Sequence, residues 1–133
     1  ELRLVGSEMC IRDRVIAATT LKVIDILEAS TERRDRLMDN ASHFRARMGD
    51  AGFDLLPGEH PIIPVMLCDP KLAQELAARL DAKGVFVVPF SFPVVPRGQD
   101  RIRTQMSAAH SRAKLDRAID AFVEVGRDIG VIQ

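Results

Sequence analysis

The stretch that decides the fold is Ser91-Phe92-Pro93-Val94-Val95-Pro96-Arg97-Gly98-Gln99-Asp100-Arg101-Ile102-Arg103-Thr104-Gln105-Met106-Ser107-Ala108-Ala109-His110. A proline-stiffened loop runs directly into a segment that alternates with period two. Ile102, Thr104 and Met106 point one way, and Arg103, Gln105 and Ser107 the other. If the first set faces a core, Arg103 sits on a rigid strand and points away from it. A guanidinium held like that suits bidentate capture of a carboxylate or phosphate. Taken alone, the pattern favours a surface or interface ion pair.

Working outward, helical and extended segments alternate. Ala17, Leu21, Ile24 and Leu27 keep helical spacing between Val15 and Leu27. Ser30 and Thr31 offer a restart, after which Leu37, Ala41, Phe44 and Met48 share one face. Gly52 fits the left-handed position after that helix, and Pro57-Gly58 marks a turn. Ile62 to Leu67 reads as a short apolar strand whose neighbours Pro61 and Pro64 suit an edge or a bulge. Asp69 followed by Pro70 is a helix start, with Leu72, Leu76 and Leu80 as the buried stripe and Gly84 as the stop. Val85 to Phe90 is expected as a second strand and Ile102 to Ser107 as a third. Ser111 caps a last helix that buries Leu115, Ile119 and Phe122. The expectation is an α/β (α+β) layer fold with about three mainly antiparallel strands packed on helices.

Composition narrows the function. The 133 residues suffice for one domain, with 47% hydrophobic and 29% charged residues. Nineteen basic residues balance nineteen acidic ones, which leaves no electrostatic footprint for nucleic acid or an anionic membrane. No apolar run reaches membrane-span length. The two cysteines, Cys10 and Cys68, lack metal-ligand spacing and suit a reducing cytoplasm. Cys68 is expected to be a small buried residue at a strand end. His43 falls at a half-exposed helical position, His60 in a turn, and His110 just before the last helix in a packing or capping role. The charged clusters 32–36 and 112–117 read as solvated helix faces. Lys22, Lys71, Lys83 and Lys114 all lie in amphipathic helices among polar neighbours, and no glycine-rich phosphate loop is present.

Residues 1–14 do not match this pattern. The run Leu4-Val5-Gly6-Ser7-Glu8-Met9-Cys10-Ile11-Arg12-Asp13-Arg14 resembles a translated sequencing-adaptor tail, so this segment is expected to be non-native.

From about Val15 to Gln133 the chain resembles the C-terminal domain of the α-oxoamine synthase family of fold-type I pyridoxal-phosphate enzymes. The resemblance is to its glycine C-acetyltransferase (2-amino-3-ketobutyrate CoA ligase) branch. It is carried by Ala51-Gly52-Phe53, Ile62-Ile63-Pro64-Val65-Met66-Leu67, the 91–110 block and Ile129-Gly130-Val131-Ile132. It implies a domain at 15–133 whose large cofactor-binding partner domain is absent from this sequence. It also implies a homodimeric cytoplasmic parent enzyme, active in threonine degradation, that joins glycine to acetyl-CoA and releases 2-amino-3-oxobutanoate and CoA. The cofactor it implies is pyridoxal phosphate. The Schiff-base lysine is expected outside this sequence, so no catalytic residue is assigned and the chain alone is expected to be inactive. The second arginine of the Arg101-Ile102-Arg103-Thr104 motif, Arg103, is the residue the resemblance makes the ligand of the substrate carboxylate. Val94 stands where the 5-aminolaevulinate synthase branch has a threonine, which implies a short uncharged acyl group. Two alternatives stay open: a sister enzyme of the 8-amino-7-oxononanoate synthase type, and a non-catalytic α/β binding or dimerisation module.

Overall fold

The computed structural model describes residues 3–133, with side chains described from Arg14 onward. Most of the segment expected to be non-native, Cys10 included, therefore lies outside the described side chains. Contacts divide the chain into two units, Glu1–Arg33 and Arg34–Gln133. The first holds helix α1 (Arg3–Ala29), whose side chains Val15, Leu21, Ile24 and Leu27 are exposed. Its apolar spacing produces a helix but not a buried stripe.

The second unit is built from α2 (Glu32–Asp50, whose first two residues fall in the first unit), β1 (Ile62–Met66), α3 (Pro70–Ala82), β2 (Val88–Phe90), β3 (Arg101–Gln105) and α4 (Arg112–Asp128). The sheet is wholly antiparallel in the order β1-β3-β2, so β3 is central and the proline-bearing β1 takes an edge, as expected. The register sets Pro64 and Val88 on either side of Arg103, and Met66 and Phe90 on either side of Arg101. Side chains opposite one another share a face. One face of the sheet, with Ile63, Val65, Ile102 and Met106, is buried against α2, α3 and α4. Thr104 shares that face, and its hydroxyl donates to the Ile63 carbonyl at 2.7 Å, which satisfies the one polar group there.

Local chemistry accounts for the element ends. The Asp69 carboxylate accepts from the backbone N–H groups of Lys71 and Leu72, ahead of Pro70 in the first turn of α3. Ser111 caps α4 through the Lys114 N–H. Strand β2 is shorter than its sequence suggests. Gly84 leaves α3 at a φ of +78°, and the Val85 N–H is spent on the Leu80 carbonyl. Residues 85–87 therefore leave the helix instead of extending the ladder. Strand β3 starts one residue earlier than expected and stops at Gln105. Beyond it the buried Asn40 donates to the carbonyls of Ser107 (2.9 Å) and His110 (3.0 Å) and draws the chain towards α2.

Cys68 corrects an expectation, since it is exposed. The N–H groups of Leu67 and Cys68 both donate to the Asp100 carbonyl, and Cys68 takes a φ of +56°. This turn throws its side chain outward rather than into the strand-end core.

Helices α2 and α4 meet through aromatic edges and an ionic cluster. Phe122 packs edge-on against Phe44 and Phe53, with centroids at 6.2 and 6.0 Å. Above them the His43 ring bonds Asp116 at 2.6 Å, and Arg47 reaches both Asp116 and Asp120 at 3.3 Å.

Two glycines give opposite expectations. A Cβ on Gly126, in the buried face of α4, would lie 2.6 Å from the Phe53 ring, whereas one on Gly49 in α2 would meet nothing within 4 Å. Gly126→Ala should therefore destabilise by about 1–3 kcal/mol through overpacking, despite its gain in helix propensity. Gly49→Ala should stabilise by about 0.5–1 kcal/mol. Urea unfolding midpoints check both, and equal signs would contradict the packing described here.

Asp116 makes a pH prediction. The hydrogen bond from His43 holds its carboxyl below the usual carboxylate range. The charges of His43, Arg47 and Arg112 add to this, and partial burial opposes it. A depressed carboxyl adds stability above its unfolded pKa and loses it as pH falls through the folded value. Wild type should thus exceed Asp116→Asn in stability at neutral pH, and the gap should close on acidification, as read from denaturation midpoints across pH. A gap that widens in acid would contradict the assignment.

Candidate functional site

Strand parity builds the site. Because Ile102 and Thr104 are committed to the core, Arg101, Arg103 and Gln105 must stand on the opposite face of β3. The core residues of α2, α3 and α4 pack with the other face, that of Ile102. The arginine face has an apolar frame: Ile62, Pro64 and Met66 from β1, and Val88 and Phe90 from β2. The Arg103 guanidinium lies over the Phe90 ring, 4.5 Å from the centroid. Such a contact steadies the planar fork without using its N–H donors.

Among the described residues neither Arg101 nor Arg103 pairs with a carboxylate. The ion pairs formed elsewhere engage Arg47, Arg79, Lys83 and Arg112. Among the described residues, the surface ion pair that the sequence pattern left open for Arg103 is thus absent. Arg103 also lines a groove of about 440 Å³ at the β2–β3 side, which takes in Phe90, Gln105 and His110 and reaches Phe44 of α2 and Leu115 and Phe122 of α4. Arg101 shares the face but is half-buried between Met66 and Phe90, nearer the preceding loop.

Sequence reasoning singled out Arg103 but passed over two of its neighbours. Phe90 was legible only as a strand residue; its place under Arg103 follows from the β2–β3 register, which no local pattern encodes. The cap of α4 is Ser111, while the His110 carbonyl accepts from Asn40. The His110 ring also lines the groove, with Nδ1 buried and without a hydrogen-bond partner. His43 and His60 lie elsewhere: His43 in the Asp116 pair, and His60 with Nδ1 accepting from the Ile62 N–H at 3.1 Å.

The loop 91–98 is anchored by the buried Val95, while Phe92 and Val94 are exposed. Val94 is therefore free to meet a ligand. Lys22, Lys71, Lys83 and Lys114 are all exposed, and Lys83 is paired with Glu124 at 2.8 Å. None offers the enclosed amine that a Schiff base requires, so these side chains do not by themselves fit a pyridoxal-phosphate site. What the geometry can do is bind an anion at a fixed place: a planar, unpaired guanidinium on a rigid strand within an apolar frame. Among the described residues no helix is long and apolar enough to cross a membrane, and no group of three or more acidic, histidine or cysteine side chains could hold a metal ion.

The chain resembles known proteins over most of its length. The chain is 51% identical over 117 residues to the 2-amino-3-ketobutyrate coenzyme A ligase of Salmonella typhimurium, covering 88% of this chain and 29% of that protein. It is 45% identical over 117 residues to the 8-amino-7-oxononanoate synthase of Symbiobacterium thermophilum, covering 88% of this chain and 30% of the relative. The chain thus spans less than a third of the length of these curated relatives. Among solved structures, a serine palmitoyltransferase from S. paucimobilis with a bound PLP–myriocin aldimine superposes with a TM-score of 0.72 at 30% identity. That match covers 76% of this chain and 26% of the other. The family model for class I and II aminotransferases matches residues 2–122. With a three-stranded antiparallel sheet and four helices among its described residues, the chain belongs to the class I and II aminotransferase family.

Proposed function

We propose that the chain serves as the substrate-carboxylate domain of a pyridoxal-phosphate-dependent acyltransferase that condenses glycine with acetyl-CoA to 2-amino-3-oxobutanoate and CoA. One observation carries this reading: Arg103 stands on the open sheet face, steadied by Phe90 and with no carboxylate partner among the described residues. Relatives near 50% identity bearing the ligase name support the choice of branch.

In this reading the cofactor and its Schiff-base lysine reside outside these 133 residues, and the cofactor supplies the electron sink for carbanion chemistry. Arg103 forms two parallel N–H···O bonds to the glycine carboxylate. It thereby fixes the substrate's orientation and neutralises the carboxylate against decarboxylation. Phe90 limits the guanidinium to one plane, so less rotamer freedom is lost on binding. The apolar frame of Pro64, Met66 and Val88 lowers the local dielectric and strengthens the pair. Exposed Val94 offers no donor to a charged acyl chain, which favours acetyl. The enzyme works in the cytoplasm as a homodimer.

The test is a chimera in which this chain replaces the matching segment of the Salmonella relative. Arg103→Ala should lower kcat/KM for glycine by about 30- to several-thousand-fold, or about 2–5 kcal/mol, with cofactor binding retained. Arg103→Lys should rescue in part, because a point charge cannot reproduce the fork. Phe90→Leu should raise KM for glycine more than it lowers kcat, and Arg101→Ala should matter less than Arg103→Ala. Near-normal efficiency in Arg103→Ala would move the carboxylate to another residue. A chimera that prefers a larger amino acid and a longer acyl thioester would favour the 8-amino-7-oxononanoate synthase reading.

A further inference from the structure

A second concave site lies away from Arg103, where the turn at Cys68 meets the loop 91–98. The Asp100 carbonyl accepts both the Leu67 and the Cys68 N–H at 3.0 Å, so the turn and the start of β3 are held together. Cys68, Ser91, Phe92, Arg97 and Asp100 line one groove of about 380 Å³ there. Three of these side chains lack the partners their chemistry calls for. Asp100 is only 4% exposed, yet no described residue donates a hydrogen bond or an ion pair to its carboxylate. The Ser91 hydroxyl is buried without a partner. Arg97 stacks on Phe92 with its guanidinium carbon 4.8 Å from the ring centroid, and no carboxylate pairs with it. Asp100 and Arg97 line the same groove without pairing with one another.

The chemistry of the groove names its ligand. An ionised carboxylate only accepts, and so calls for an ammonium group. A guanidinium only donates, and so calls for a carboxylate. In the same groove the exposed Cys68 thiol can form a bond to sulfur. We propose that this groove binds the disulfide of an α-amino thiol, of which cystine is the simplest, and captures one half of it on Cys68. Asp100 and Ser91 hold the ammonium, and Arg97 holds the carboxylate. The Cys68 thiolate attacks one ligand sulfur: the Sγ–S bond forms, the ligand S–S bond breaks, and the released thiolate takes up the proton that Cys68 gave up. Cys68 is oxidised to the mixed disulfide, and the other half of the reagent is reduced to the free amino thiol.

Four small disulfides test this on the full chain at mildly alkaline pH: cystine (zwitterionic), cystamine (cationic), 3,3′-dithiodipropionate (anionic) and 2-hydroxyethyl disulfide (neutral). Peptide mass mapping separates Cys68 from Cys10, and each rate is divided by that of the urea-unfolded chain to remove intrinsic reactivity. The Cys68 ratio for cystine should exceed that for the neutral reagent by roughly tenfold or more. Asp100→Asn should reduce the ratio for cystamine to the neutral level and lower that for cystine towards it. Arg97→Gln should reduce those for cystine and dithiodipropionate and leave cystamine unchanged. Equal ratios for all four reagents on the wild-type chain would overturn the proposal without recourse to any variant. So would a cystine preference that survives both substitutions.

Discussion

Strand β3 is hydrogen-bonded on both sides, to β1 along five residues and to β2 along three, and this double pairing governs the rest of the 34–133 unit. A strand with two partners cannot slip, because a shift of one residue would exchange its faces. The exchange here would drive Arg101, Arg103 and Gln105 into the aromatic core and carry Ile102, Thr104 and Met106 out of it. Burial of a side chain like Ile102 is worth roughly 1.5–3 kcal/mol, and an unpaired guanidinium in its place would cost more than that gain. One alternating pentapeptide thus sets the packing of three helices and the position of the anion-binding face together.

The segment after β3 shows how a polar side chain can carry tertiary structure. Asn40, from the middle of α2, uses both amide hydrogens on the carbonyls of Ser107 and His110. This satisfies two backbone acceptors where the ladder ends and fixes where α4 begins, so His110 is brought to the rim of the groove by a helix more than sixty residues earlier. Gly126 acts in the opposite sense. It removes a side chain so that the Phe53 ring can lie against α4 and complete the edge-on contact with Phe122.

What was legible in the sequence follows from the range of the interaction that decides it. Local codes read true: the Asp69–Pro70 start, the Ser111 cap, the left-handed Gly52, the stop at Gly84 and the two faces of β3 all appear as expected. Features set by distant partners did not. The shortening of β2 depends on a bond between Val85 and Leu80, the outward turn of Cys68 on a carbonyl thirty residues away, and the end of β3 on Asn40. The apolar spacing of α1 reports only that a helix forms, because periodicity encodes a face and not what covers it. At the site the same division holds. Parity exposed Arg103, while the ring beneath it came only with the register.

The electrostatics of the open sheet face argue that it is not a passive surface. Arg101 and Arg103 are two residues apart on one face, a spacing of roughly 7 Å along a strand. At that distance two like charges repel by about 0.6 kcal/mol in water and about 2 kcal/mol at the effective dielectric of a protein surface. A surface shaped by stability alone would relieve this with a carboxylate across the register. The cross-strand neighbours here are instead Pro64, Met66, Val88 and Phe90, none of which can do so. Elsewhere in the same unit basic side chains do find acidic partners, at Arg47, Arg79, Lys83 and Arg112. On the sheet face the two arginines thus stand side by side with only apolar cross-strand neighbours, so an arriving anion would gain from both.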